Sequence, residues 1–173
     1  MNSTEWSPAV YELARGAHLT TFLDQTGFSA PRAVLVGGYH GTWLTRDALA
    51  HARLSRPGLA PYGSAPGAGV LIPLEHQCGL RETSRILNYL AAEVAGQCGP
   101  CVNGLPALAA HFRDLVGGRA TSVTMQELNR VSGLVRGRGA CSHPDGTARL
   151  AASALTAFAD DVEHHLRGGC RVL

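Results

Sequence analysis

Lysine is missing from this 173-residue chain, and all fifteen basic residues are arginine. The absence removes Schiff-base chemistry and any phosphate-loop lysine. A GC-rich codon bias explains the exchange of one cation for the other. Charge is sparse as well: Asp, Glu, Lys and Arg make up 16% of the residues, and the formal net charge is +2. With the arginines scattered rather than striped, nucleic acid is not an expected partner. No apolar run approaches the roughly 20 residues of a membrane span. The start, "MNSTEWSPAV", lacks the charged and apolar regions of a secretory leader. The expected location is therefore cytoplasmic, at the inner face of a membrane only through a partner. Gly-x-Ser-x-Gly and His-Glu-x-x-His are both absent. Asp160 and Asp161 are neighbours on a predicted helix and point to different faces, which reads as solvated surface.

What the chain does have is 45% hydrophobic residues, enough for a real core in one or two small domains, and five cysteines. These are Cys78, Cys98, Cys101, Cys141 and Cys170. An odd number in a chain read as cytosolic argues against a disulfide framework and for metal binding or catalysis.

The pattern predicts an α+β protein. Residues 8–74 are turn-rich and strand-rich. "AVYELARG" (Ala9 to Gly16) alternates like a short strand, and "HLTTFLDQTG" places Leu19, Phe22 and Leu23 on one face of a helix. "RAVLVGGYHG" reads as a buried strand breaking into a Gly-Gly turn, Ser55 to Gly69 as a long loop, and "GVLIPL" as a closing strand. Residues 75–168 turn helical. Four amphipathic segments are expected: Leu80 to Ala95, Gly104 to Gly118, Val123 to Val135, and Thr147 to Gly169, with 169–173 as a tail. The third carries an apparent capping box, Thr124 and Glu127, and a hydrophobic staple, Val123 and Leu128. Short connections make the four an antiparallel bundle.

On that outline, Cys98 and Cys101 lie in the first connection and Cys141 in the third. Both connections fall at the same end of an up-down-up-down bundle, so three thiols converge. A thioredoxin-like pair would follow a strand and open a helix; here a helix precedes it. Zinc would be served by Cys98, Cys101, Cys141 and His143. An iron–sulfur cluster would use the same thiols, with the amides of Gly96, Gly99 and Gly104 turned to the sulfides. Spacing alone leaves zinc and iron–sulfur even.

"AGQCGPCVNGLPALA", "GRGACSHPDGTARL" and "GAGVLIPLEHQCGL" resemble the C-terminal half of the NADH-binding flavoprotein subunit of bacterial NADH–quinone oxidoreductase. That family carries Ser-Cys-Gly-x-Cys-x-Pro-Cys-x-x-Gly and a fourth, distal cysteine, which together bind a 4Fe-4S cluster. The resemblance places the second and third triplet cysteines on Cys98 and Cys101, the glycine on Gly104 and the distal cysteine on Cys141. It also places the first triplet cysteine on Ala95, which cannot ligate iron. His143, solvent or a partner ligand is then the replacement, or a 3Fe-4S cluster forms on three thiolates. "PAVYELARGAHLTTFLDQTGFSAPRAVLVGGYHGTW" is similar to the family's soluble-ligand-binding β-grasp domain, entered partway, with the flavin and NADH domain absent.

The resemblance implies an iron–sulfur electron-transfer component of an NADH-dehydrogenase-like oxidoreductase, without its own flavin or NADH site. Its expected partner is a flavoprotein or a membrane redox subunit. The alternative is a zinc-stapled or metal-free module that docks on a redox partner. Arg136 and Arg138, beside the distal cysteine, are read as tuning the cluster. Cys78 is read as a small buried residue and Cys170 as an exposed tail thiol. His111, His164 and His165 read as solvated, His40 as a turn residue, and Tyr39 and Trp43 as domain-packing anchors.

Overall fold

The computed structural model describes residues 8–172; the leader reading of the first seven residues lies outside them. Three strands, β1 (Ala33–Val36), β2 (Thr42–Thr45) and β3 (Leu71–Leu74), form one antiparallel sheet in the order β2-β1-β3. In central β1, successive side chains face opposite sides. Ala33 and Leu35, with Trp43 and Leu74, join the core under the helices. Val34 and Val36, with Leu44, join a second core formed with Leu19, Leu23, Leu49 and Leu59. Burial on both faces is why "AVLV" reads as an unbroken apolar run. Pro73, which has no N–H to donate, sits on the edge strand β3 opposite Val34.

The outer layer is α1 (Leu19–Gln25), α2 (Arg46–His51) and the single turn α3 (Arg56–Leu59). Beyond the sheet lie α4 (Gly79–Ala92), α5 (Leu105–Val116), α6 (Ser122–Val135), α7 (His143–Ala157) and α8 (Ala159–Leu166). Helix α4 packs on α5 and α7, α5 on α6, and α6 on α7, closing a four-helix ring, while α7 lies against β2. Among the described residues every strand precedes residue 75, so the chain is α+β as the pattern predicts.

Several local expectations are corrected. Ala9 to Gly16 forms no strand: residues 8–14 are exposed, Val10 fully so, and no sheet edge lies alongside to satisfy an extended backbone. The predicted 55–69 loop holds α3, which Ser55 caps by accepting the Gly58 N–H at 3.1 Å. The capping box of α6 is Thr121 with Thr124, each side chain accepting the other's backbone N–H. Glu127 instead pairs with Arg130, and Val123, 61% exposed, staples nothing. The last predicted helix is two, broken at Phe158, whose backbone (φ −119°, ψ 37°) leaves the helical region. Its ring is drawn into the core, edge-on to Trp43 at 5.3 Å and beneath the Arg32 guanidinium at 5.5 Å.

Tyr39 and Trp43 act as packing anchors between sheet and helices. Trp43 Nε1 donates to Thr83 Oγ1 at 2.9 Å, and Thr83 in turn donates to the Gly79 carbonyl at 2.7 Å. Tyr39 meets Tyr89 edge-on at 5.6 Å, with Arg85 donating to its hydroxyl. Asp161 is not solvated: it is 1% exposed and bound to Arg32 at 2.5 Å.

Two glycines give opposite expected results. A Cβ on Gly79 would stand 2.2–2.4 Å from the buried Phe158 ring. Gly79→Ala should therefore cost about 1–3 kcal/mol, because that ring has no room to retreat. Gly133 lies inside α6, and its Cβ would meet nothing within 4 Å. Gly133→Ala should stabilise by about 0.5–1 kcal/mol. Urea unfolding midpoints moving in the same direction for both would contradict this packing.

Candidate metal centre

The loop after α4 and the loop before α7 meet at one end of the helical ring. Gly104 ends a π-helical turn, Pro100–Gly104, that leads into α5. A Cβ there would lie 2.4 Å from Val135 Cγ2, so only glycine lets this turn sit on the end of α6. The loop between α6 and α7 is tied to α7: the Gly137 N–H donates to Asp145 Oδ1 of that helix at 2.7 Å. These two close approaches bring Cys98, Cys101 and Cys141 together. Cys101 is 5% exposed, Cys98 half-buried and Cys141 exposed.

The three thiols are electrically unequal. Hydrogen bonds from the Ala140 and Cys101 backbone N–H groups hold the Cys98 thiol below its ordinary pKa. Burial raises that of Cys101, and the neighbouring Cys98 and Cys141 add to the rise. The Cys98 carbonyl accepts the N–H groups of Cys101 and Val102 at 3.1 and 3.0 Å, locking the bend that presents both thiols. In the metal-free protein Cys98 should thus ionise first as pH rises and react with iodoacetamide well before Cys101. Peptide mass analysis across pH 6–9 reads this; equal rates at both thiols would contradict the geometry.

His143 opens α7, two residues beyond Cys141. Its Nε2 is 2.9 Å from the Leu90 carbonyl and its ring meets His40 edge-on at 5.0 Å, leaving Nδ1 as the nitrogen for any ligand role. A Cβ on Gly96 or Gly99 would meet nothing within 4 Å, so both border open space beside the thiols, while Gly104 is accounted for by its contact with Val135.

The donor set bears on what it can hold. Ligands of one zinc ion cluster tightly, with edges of about 3.5–3.8 Å given bonds of about 2.0–2.3 Å. Among the described residues, the trio of metal-ligating side chains with atoms all within 4.8 Å of one another is Cys78, His165 and Cys170, not the loop cysteines. The loop thiols share one electrostatic neighbourhood, with Cys98 and Cys101 interacting through their side chains and Cys141 near enough to act on Cys101, and all three donors are soft sulfur. They fit a cluster, with one thiolate fewer than the usual four.

The sequence reading missed the Cys78 trio. It placed His165 on a solvated face, yet His165 is 1% exposed, with Nε2 3.3 Å from Cys78 Sγ. The unseen break at Phe158 re-aims α8 and turns His165 inward. The available signal was arithmetic: with three cysteines assigned to the loops, Cys78 and Cys170 remained.

Residues 81–165 match the family described as "NADH-ubiquinone oxidoreductase-F iron-sulfur binding region". The resemblance read from the motifs is thereby borne out. The chain is 29% identical over 168 residues to the F subunit of the Streptomyces coelicolor NADH-quinone oxidoreductase, covering 94% of this chain and 37% of that protein. The corresponding protein of Mycobacterium tuberculosis is 28% identical over 166 residues, with coverage of 94% and 37%. The chain thus spans little more than a third of the length of these relatives. Among solved structures, an NAD+-reducing [NiFe]-hydrogenase in its H2-reduced state superposes with a TM-score of 0.78 at 22% identity, over 92% of this chain and 27% of that one. That likeness shows the fold. Among the described residues no helix is long and apolar enough to cross a membrane.

Proposed function

We propose that this chain is an electron-transfer component of an NADH-dehydrogenase-like oxidoreductase, with an iron–sulfur cluster held by Cys98, Cys101 and Cys141. The observation that carries the reading is the meeting of the two loops, which gathers these three thiols inside the matched region. A bound cluster supplies reversible one-electron chemistry. The chain's own residues do the rest. Cys98 is already biased to the thiolate by two amides, Cys101 is shielded from solvent by the π-turn, and exposed Cys141 closes the site from the opposite loop. Arg136 and Arg138, exposed beside Cys141, place positive charge where a reduced cluster adds negative charge. The fourth position falls to Nδ1 of His143 or to solvent, because Ala95 offers no donor.

On this reading electrons come from and go to a partner, a flavoprotein or a membrane redox subunit. The location that follows is cytoplasmic, at the membrane's inner face through that partner. Analysis of iron and acid-labile sulfide after anaerobic purification tests the proposal. About three to four of each per chain is expected for a 3Fe-4S or 4Fe-4S centre. Zinc bound to the loop cysteines in place of iron and sulfide would favour a zinc-stapled docking module.

A further inference from the structure

We infer that Cys78, His165 and Cys170 form a second metal site, separate from the loop cysteines, that takes a single thiophilic divalent ion such as zinc. The three donor atoms lie within 4.8 Å of one another, and Cys78 Sγ is 3.3 Å from His165 Nε2. A tetrahedral zinc site needs edges of about 3.5–3.8 Å, so small side-chain movements close the trio on one ion. Two donors are deep, Cys78 at 5% and His165 at 1% exposure. Cys170 is half-buried, so water can reach a fourth position beside it.

The fold assembles this trio from three places. Gly79 lets the start of α4 press on the Phe158 ring, which brings Cys78, the residue just before α4, against α8. His165 comes from the last turn of α8. Gly168, at φ +81°, then turns the chain so that Cys170 comes back to the same spot. The chemistry of each donor suits the ion. Burial, with the Arg81 guanidinium, lowers the His165 pKa against the opposing pull of Asp161. Burial raises the Cys78 pKa and the neighbouring Cys170 thiol adds to the rise, against the Arg81 and Leu80 amides. The Cys170 thiol donates to the Val172 carbonyl at 2.9 Å. Metal binding forms two S–metal bonds and one N–metal bond and releases the two thiol protons to solvent. Asp161, one turn before His165, keeps a buried Oδ1 without a hydrogen-bond partner, a carboxylate acceptor near the imidazole. A bound ion would clasp the end of the chain to the start of α4.

The site does not depend on the cluster reading, and the experiment keeps the two apart. The full chain, with its loop site reconstituted, is titrated with Zn²⁺ against a chelating dye and with Co²⁺ by visible absorption, alongside Cys170→Ser, His165→Gln and Cys141→Ser. The expected result is one equivalent of zinc and tetrahedral Co²⁺ bands with thiolate charge transfer. Affinity should fall at least tenfold in Cys170→Ser and His165→Gln and stay unchanged in Cys141→Ser, whose iron is lost. Cys170→Ser is the decisive variant, since it changes a half-buried tail residue rather than the core. Retention of wild-type zinc affinity in Cys170→Ser would overturn the site. So would a Cys78–Cys170 disulfide in place of bound metal in the anaerobic protein.

Discussion

Cys141→Ser should strip the anaerobically reconstituted protein of nearly all its iron, whereas Cys170→Ser should leave the iron content unchanged. Cys141 is the one thiol contributed by the loop before α7, and it is electrostatically coupled to buried Cys101 across the meeting of the two loops. Without it, two thiolates from one short turn would have to hold the whole cluster. Ala95→Cys is the complementary change. The resemblance places the family's first thiolate on Ala95, an exposed residue just before the loop cysteines. A cysteine there should complete a four-thiolate set and slow loss of the cluster in air. If oxygen sensitivity is the same before and after Ala95→Cys, the fourth ligand is already present, and His143→Gln then identifies it. Full iron in Cys141→Ser with loss in Cys170→Ser would mean that the cluster sits on the other group of thiols.

The largest expected stability effect lies away from the loop thiols. Arg32→Ala should destabilise the fold by about 3–5 kcal/mol, because it leaves a buried carboxylate without its counter-charge. Arg32 just precedes β1, and its guanidinium reaches Asp161 of α8 at 2.5 Å while lying over Phe158. Asp161 is 1% exposed, and its other oxygen has no partner. The pair therefore ties the sheet to the last helix and rests on a single cation. Arg32 retains 28% exposure, which admits water to its side and sets the lower end of the range as the expected value. Asp161→Asn in the Arg32→Ala background should recover a large part of the loss, since a neutral amide costs much less to bury than an unpaired charge. Denaturant melts of the two single variants and the double variant measure this coupling. Additive losses would show that Arg32 acts through its stacking on Phe158 rather than through the carboxylate.

The strands β1 and β3 and the helices α4 to α7 were legible because each carries a periodic signal of its own. "AVLV" is apolar on both faces, and Ile86, Leu87 and Leu90 repeat at helical spacing and are all buried. The meeting of the Cys98 and Cys141 loops was legible because helix count alone puts alternate connections at one end. Other features needed tertiary information. The "AVYELARG" alternation found no sheet edge. The break at Phe158 is hidden inside a continuous amphipathic pattern, since the ring of a helix-compatible residue is claimed by Trp43 and Arg32 from the sheet side. Everything beyond that break was misread for the same reason. Asp161 and His165, polar residues on an apparently solvated end, become buried once α8 is redirected. The conjunction of Cys78 with Cys170, 92 residues apart in sequence by their numbers, has no local signature at all.

The most direct test of the central claim is electron paramagnetic resonance of the anaerobically purified full chain, before and after dithionite reduction. A 4Fe-4S centre predicts a silent protein that gains an S = 1/2 signal on reduction, and a 3Fe-4S centre predicts a signal already present in the oxidised protein. Either signal should disappear in Cys141→Ser and persist in Cys170→Ser. A colourless protein without iron, silent in both redox states, would contradict the account.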